Sequence, residues 1–191
     1  DVMPLRKLNR LIAINGLKNF DINKNIAFNE LFNLNNKKNK LNINDLGYLI
    51  GPILNAGGRL GKSTHASELL SSDNLEIVHA RSNELIKLNN KRKVIETLIL
   101  NEIDYQKIER ENKDIIVYYS PNINEGLIGI IAARLKDYFN KPSIVITNSN
   151  KLLKGSARSV FNYNIGRVIK NSLDHKIIIS GGGHNAAAGF T

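Results

Sequence analysis

The chain has 191 residues, with 27 lysines and arginines against 17 aspartates and glutamates, which gives a formal net charge of +10. The absence of cysteine excludes a disulfide framework, thiol catalysis and metal sites with cysteine ligands, and it fits a cytoplasmic protein. No apolar run approaches the roughly 18–20 residues that a membrane span needs, so no membrane partner is expected.

The positive charge has two explanations that the composition leaves open. It suits an anionic partner such as nucleic acid. It also follows from heavy use of Asn, Lys and Ile, which is typical of AT-rich genomes. The chain begins at Asp1 rather than Met, so we expect it to be a piece of a longer protein.

The first 72 residues predict helices and loops. Apolar residues from Leu8 to Ile14 predict a helix that ends near Gly16. A second short helix is predicted around residues 28–32. A third is predicted from Asn44-Asp45 to Ile50, ended by the Gly-Pro pair that follows.

Residues 74–111 predict one long helix that connects two bodies. Apolar residues recur there at steps of three, four and seven, and no Gly or Pro interrupts them. Asn74 is a suitable N-cap. A helix of about 37 residues would be about 55 Å long at 1.5 Å per residue, which is longer than most globular helices.

After residue 112 the hydrophobic period changes, and the pattern predicts an α/β domain with a sheet. The predicted order is strand, helix, strand, strand, helix, strand. The elements cover residues 114–119, 126–139, 143–147, 151–160, 165–173 and 176–179.

Residues 56–63 match a phosphate-binding P-loop if Ala56 is accepted at the first position. The context argues against an NTPase, because no buried strand precedes this stretch. A glycine-rich turn into a following helix is the alternative. Within the same turn, Asn55 and Arg59 lie four residues apart, and an arginine there suits a phosphate. From the residues alone, an exposed arginine on a structural loop is slightly favoured.

Two patterns in the predicted α/β domain also suit phosphate chemistry. Ser156 and Arg158 alternate on a strand, so both face the same side; a hydroxyl and a guanidinium suit a nucleic-acid backbone, although simple surface alternation explains them as well. Gly181, Gly182 and Gly183 precede His184. Three glycines allow close approach of a ligand and can form an anion nest, beside which His184 could donate a proton, although a lone histidine on a tight turn is usually structural.

Five motifs, in this order, resemble the RecJ family of bacterial 5′→3′ single-stranded-DNA exonucleases, in the DHH phosphoesterase superfamily. Each is weak alone, but together they extend over essentially the whole chain. They are residues 1–10, 51–60, 126–135, 155–159 and 182–189.

The resemblance implies a three-part organisation. Residues 1–72 would be the C-terminal part of a DHH phosphoesterase domain, 73–111 a long connector helix, and 112–191 a DHH-associated substrate-binding domain with a mixed sheet. In this organisation the first segment should expose apolar surface that the rest of the DHH domain covers.

The resemblance also implies roles for individual residues. It places Asp1 in a two-metal Mn²⁺ or Mg²⁺ site that activates water for phosphodiester hydrolysis, with the Asp-His-His motif and the remaining ligands upstream. His184 would act at the scissile phosphate as a catalytic residue. The substrate-binding residues would be Asn55, Arg59, Ser156, Arg158, Ser159, Gly182, Gly183 and His184.

Single-stranded DNA is the implied partner, in recombination and repair, with a single-strand-binding protein and a recombination helicase as further candidates. Asn124 and Ala157 depart from the family pattern, so a substrate contact at Asn124 is in doubt. Two other functions stay open. They are an oligonucleotide or cyclic-dinucleotide phosphodiesterase of the same superfamily, and a non-catalytic nucleic-acid-binding module. We expect the 191 residues alone to lack nuclease activity.

Overall fold

The computed structural model describes residues 4–38 and 40–191. Backbone contacts divide the chain into two compact units, Asp1–Arg92 and Lys93–Thr191. Within the described residues, no helix is both long and apolar enough to cross a membrane.

The first unit consists of helices, as the sequence predicts. Buried side chains from several of these helices form its core; they are Ala27, Leu31, Phe32, Ile50, Ile53, Leu69, Val78 and Leu85. In chain order its helices are α1 (Lys7–Asn19), a 3₁₀ turn (Ile22–Lys24), α2 (Ile26–Leu34), α3 (Ile43–Asp45), a π-helical segment (Leu46–Ile50), α4 (Gly51–Arg59), α5 (His65–Ser71) and the first part of α6 (Leu75–Glu102).

Helix α1 contributes no buried side chain to this core. Its exposed apolar residues include Leu8, Leu11, Ile12 and Ile14, each between 47% and 67% exposed. The expectation that the first segment presents apolar surface is therefore confirmed.

The sequence predicts that the Gly51-Pro52 pair ends a helix. In the structure the pair instead lies inside a continuous helical stretch. Asn42, rather than Asn44 or Asp45, caps α3 in a reciprocal capping box with Asp45. In the π-helical segment the Gly51 amide bonds to Leu46 O, five residues back. This wider turn gives room for the Pro52 ring, which would otherwise meet the carbonyl four residues before it.

Because residues 51–59 are helical, the P-loop interpretation is excluded. The predicted glycine-rich turn is also misplaced, since Asn55 and Arg59 lie on α4 itself. The turn lies after the end of α4. Gly61, with a φ of +79°, follows the end of α4, and the Lys62 amide closes the turn on Gly57 O at 2.7 Å.

The long connector is two helices, not one of 37 residues. Asn74 caps α6 as predicted, since its Oδ1 accepts from the Glu76 amide at 2.8 Å. However, α6 ends at Glu102, and α7 (Tyr105–Glu111) follows. Asp104 begins α7 by accepting from the Lys107 amide at 2.9 Å, a local bond that competes with helix continuation.

The second unit contains a five-stranded mixed sheet in the order β1-β2-β3-β5-β4. The first pair of strands is parallel and the other pairs are antiparallel, which confirms the predicted mixed sheet. The elements are β1 (Ile116–Tyr119), α8 (Ile128–Phe139), β2 (Ser143–Ser149), β3 (Leu152–Arg158), α9 (Ile165–Asp174), β4 (Gly181–Gly183) and β5 (Ala187–Phe190).

The prediction of a strand at residues 176–179 is wrong. The Ile177 amide bonds to Ser172 O at 2.9 Å, and Lys176 has a φ of +56°, so this apolar stretch closes the C-terminus of α9. Ile177 and Ile179 are 76% and 72% exposed. The strands at this end of the sheet are instead the glycines of β4 and the Ala/Gly-rich β5.

Helices α8 and α9 cover opposite faces of the sheet. Val145 and Ile116 pack with α8, whereas Ala157 and Ala188 pack with α9. Since paired residues share a face, the strand register assigns Ser156, which pairs with both Val145 and Gly189, to the α8 face.

Two adjacent glycines in α4 provide a matched test of how this helix packs within the first unit. A Cβ at Gly57 would lie 2.5 Å from Lys62 O and 3.2 Å from Leu85 Cδ2, whereas a Cβ at Gly58 would meet nothing within 4 Å. We expect Gly57→Ala to lower the free energy of unfolding by about 1–3 kcal/mol. Gly58→Ala should leave it unchanged or raise it by up to about 1 kcal/mol. Urea titration measures both free energies of unfolding, and equal effects would contradict the close contact of Gly57 with Lys62 and Leu85.

Candidate nucleic-acid interface

Ser156 and Arg158 lie side by side on the α8 face of β3. The Arg158 guanidinium donates to Ser156 Oγ at 3.1 Å and to Ala157 O at 2.8 Å. Both side chains are half-buried, while Ala157 between them is fully buried on the opposite face. The predicted pairing of a hydroxyl and a guanidinium is therefore present, and the two groups are bonded to each other.

Gly129, in the first turn of α8, lies against this pair. A Cβ at Gly129 would lie 2.8 Å from Arg158 Nη2 and 3.1 Å from Ser156 Oγ. Only a residue without a side chain allows the guanidinium to occupy its position. Sequence reasoning did not single out Gly129, although a lone glycine inside an otherwise apolar helix is a signal of close packing.

Next to Ser156, the same face of the sheet carries two glycines. Ser156 pairs with Gly189, and Gly189 pairs with Gly182. Both glycines are exposed, a Cβ at Gly182 would meet no atom within 4 Å, and one at Gly189 would meet only Gly155 O at 3.8 Å. We call Ser156, Gly189 and Gly182, together with Arg158, the glycine shelf: two exposed glycines bordered by a hydroxyl and a guanidinium.

The other glycines of β4 have a packing role. A Cβ at Gly181 would lie 2.8 Å from Ile169 Cγ2, and one at Gly183 would lie 2.4 Å from Ala188 Cβ. The backbone of β4 is an extended strand, and none of its glycines has a positive φ. The predicted anion nest, which needs a concave turn of successive amides, is therefore wrong.

His184 begins the turn between β4 and β5. Its amide donates to Ala187 O at 2.8 Å, and Ala187 is the register partner of Arg158. This places His184 in the same cross-strand row as Arg158, two strands away, or about 10 Å at 4.8 Å per strand.

Helix α9 fixes the backbone of the His184 turn. The amides of Ile165 and Gly166 donate to Asn185 O and His184 O at 3.2 and 3.1 Å. A Cβ at Gly166 would lie 2.7 Å from His184 O. The amides at this helix start therefore position His184.

Ser159, which the resemblance implies as a substrate-binding residue, directly follows β3. It is 8% exposed, and its hydroxyl donates to Tyr163 O at 2.7 Å. Its amide also donates to Ala186 O at 2.9 Å. Ser159 thus ties the end of β3 to the loop that follows and to the His184 turn.

A second basic residue on the shelf side of β3 is neutralised. Lys154 Nζ lies 2.7 Å from Glu125 Oε2, and Ser149 Oγ donates to the same carboxylate. Hydrogen bonds from Lys154 and Ser149 hold the pKa of Glu125 below its ordinary value. The carboxylate is therefore charged at neutral pH and offsets the charge of Lys154.

Two further predicted substrate-binding residues lie in the first unit. Asn55 and Arg59 lie one turn apart on α4, with exposed Gly58 beside them, while Ile53, Ala56 and Gly57 are buried on the other side. Asp1 lies outside the described residues. Asn124, which departs from the family pattern, caps the turn before α8 by accepting from the Gly126 amide at 2.8 Å.

Comparison with known proteins identifies a matching family model and similar proteins. Residues 112–191 match the family model described as "DHHA1 domain". Over its whole length the chain is 33% identical to the single-stranded-DNA-specific exonuclease RecJ of Salmonella typhimurium and 34% identical to that of Haemophilus influenzae. The chain spans 35% of the length of each of these relatives.

Solved structures give the same relationship. The RecJ of Thermus thermophilus in complex with Mn²⁺ superposes with a TM-score of 0.84 at 26% identity, covering 98% of this chain and 28% of that protein. The Mg²⁺ complex gives a TM-score of 0.81 at 25% identity, covering 100% and 29%.

Gly129 provides a test of the shelf that separates positioning from folding. If the shelf binds single-stranded DNA, Gly129→Ala should weaken that binding about as much as loss of Arg158 does, because the new methyl group displaces the guanidinium. The free energy of unfolding should not fall, since Ala is favoured over Gly in a helix by about 1 kcal/mol.

The matched control is Gly16→Ala in α1, where a Cβ would meet no atom within 4 Å. Fluorescence anisotropy with a labelled oligonucleotide measures binding, and urea titration measures stability. Unchanged DNA binding by Gly129→Ala would show that the position of the Arg158 guanidinium does not matter.

Proposed function

We propose that this chain, which belongs to the RecJ family, is the segment of a 5′→3′ single-stranded-DNA exonuclease that holds the DNA strand for cleavage. The glycine shelf is the observation that carries this proposal. A guanidinium and a hydroxyl are held beside backbone that no side chain covers, and this combination suits a phosphodiester chain better than a compact small molecule.

In this proposal Arg158 binds a DNA phosphate. Its planar guanidinium carries five N–H donors in a geometry that matches phosphate oxygens. Ser156 holds the guanidinium through the 3.1 Å hydrogen bond and offers its hydroxyl to the same phosphate. Gly182 and Gly189 let the DNA backbone approach the sheet, since a Cβ at either position would meet no atom closer than 3.8 Å.

His184 lies at the far end of the same row and is proposed to contact the next phosphate. An imidazole there donates a hydrogen bond to a phosphate oxygen, or a proton to a leaving oxygen. Asn55 and Arg59, on the exposed side of α4, are proposed as a further DNA contact in the first unit. Gly183 is proposed to support this surface through its packing on Ala188.

The described residues do not themselves form a metal centre. Within residues 4–38 and 40–191, no group of three or more His, Asp or Glu side chains is arranged to hold a metal ion. The proposed Mn²⁺ or Mg²⁺ site therefore depends on Asp1 and on ligands that the family resemblance places upstream. In this proposal the residues of the glycine shelf bind and orient DNA.

The resemblance also supports a biological setting for this activity. We propose a cytoplasmic role in DNA recombination and repair, with single-stranded DNA as the substrate. A single-strand-binding protein and a recombination helicase are the proposed partners that would supply or unwind the strand.

Salt-dependent binding tests the assigned phosphate contact. We expect Arg158→Ala to weaken binding to single-stranded DNA and to reduce the slope of log affinity against log salt concentration by about 1, as loss of one phosphate contact does. The matched control is Lys170→Ala, which removes one exposed cation from α9 on the opposite face of the sheet. If the two variants bind alike, Arg158 does not contact a phosphate.

If this chain binds DNA but holds only one ligand of the metal site, the isolated chain should bind DNA without cleaving it. We expect the purified 191-residue chain to bind 5′-phosphorylated single-stranded DNA with Mn²⁺ present but not to degrade it, because Asp1 alone cannot hold two metal ions. Gel analysis of a labelled oligonucleotide measures this. Processive shortening of the oligonucleotide would mean that the chain contains a complete catalytic centre.

A further inference from the structure

The loop between β3 and α9 forms a pocket that the proposed phosphate contacts do not use. The pocket has a volume of about 430 Å³, within the roughly 300–1,000 Å³ range of small-ligand sites. It is lined by Ser159, Val160, Phe161, Asn162, Tyr163, Asn164, Asn185 and Ala186. The lining thus includes two aromatic side chains and three asparagines, whose amides can donate and accept hydrogen bonds.

Phe161 is the most exposed large apolar side chain of the described residues, at 92%. A single exposed aromatic residue is common on protein surfaces. This one differs because it lines a pocket and follows Arg158 by three residues, which places the two Cα atoms within about 11 Å of each other.

The loop that carries Phe161 is held in place on both sides. Ser159 Oγ donates to Tyr163 O at 2.7 Å, and the Ser159 amide donates to Ala186 O at 2.9 Å. Asn162 adopts a left-handed φ of +71°, and Asn164 caps α9 by accepting from the Arg167 amide at 2.9 Å. The ring of Phe161 is therefore presented by a preorganised turn.

We propose that Phe161 and this pocket form a subsite for one nucleobase of the DNA strand whose phosphate binds Arg158. The inference rests on the proposed DNA-binding function and adds to it. Aromatic side chains beside a basic backbone-binding surface stack on bases without regard to sequence. The neighbouring asparagine amides can bond to the edge of the stacked base, and Arg167 at the start of α9 adds positive charge.

A comparison of two oligonucleotides separates base binding from phosphate binding. One probe is an oligothymidine of about 15 nucleotides, a length that a single-strand-binding groove can engage, and the other is the same sugar–phosphate chain with abasic residues. We expect Phe161→Ala to weaken binding of the 191-residue chain to oligothymidine by about tenfold, as loss of one stacked base does. Its affinity for the abasic chain should be unchanged.

A tryptophan variant gives a direct readout, because the chain contains no tryptophan. Phe161→Trp should retain the affinity of the wild-type chain, and its fluorescence should be quenched by oligothymidine but not by the abasic chain. The matched control is Tyr48→Ala, which removes an aromatic side chain that is 85% exposed in the first unit and should bind both probes as the wild-type chain does.

The outcomes distinguish the subsite from the function on which it rests. If Arg158→Ala weakens binding to both probes while Phe161→Ala changes neither, the base subsite is wrong and the DNA-binding function stands. If the fluorescence of the Phe161→Trp variant is unchanged by saturating oligothymidine, the subsite is also wrong. If the wild-type chain binds neither probe, the proposed function itself fails.

Discussion

The structure of the second unit depends on close backbone approach at a set of glycines. A Cβ at Gly155 would lie 2.1 Å from the Phe190 ring, and one at Gly183 would lie 2.4 Å from Ala188. Gly166 in turn lets α9 meet the His184 turn. Because these contacts leave no room for side chains, β3, β5 and β4 lie tightly against α9 on one face.

The same scarcity of side chains produces the glycine shelf on the other face. Helix α8 covers β1 to β3 on that side, and its Gly129 leaves room for the Arg158 guanidinium. Beyond Ser156 the paired glycines leave backbone exposed. Packing on the α9 side thus fixes the strands, and the other side presents a guanidinium, a hydroxyl and bare backbone, which we propose bind a phosphodiester chain.

Much of this arrangement could be predicted from the sequence. Strand alternation correctly placed Ser156 and Arg158 on one face, and the family resemblance implied the mixed sheet. Local patterns failed where tertiary contacts decide. The apolar run at residues 176–179 resembles a strand but closes α9, and Gly51-Pro52 resembles a helix stop but is accommodated by a π-turn.

The sequence did not indicate two residues of the proposed site, again because tertiary contacts decide their roles. Gly129 and Phe161 are assigned to the site by their three-dimensional neighbours, and neither has a sequence pattern that distinguishes it from a packing glycine or an ordinary surface residue.

Chemical-shift mapping of the 191-residue chain with oligothymidine is the most direct test of DNA binding at the glycine shelf. We expect the NMR signals of Ser156, Arg158, Gly182 and Gly189 to shift when oligothymidine is added. The signals of Ile144 and Val117, on the opposite face of the sheet, should stay unchanged. Shifts confined to the opposite face, or to residues outside the glycine shelf, would contradict it.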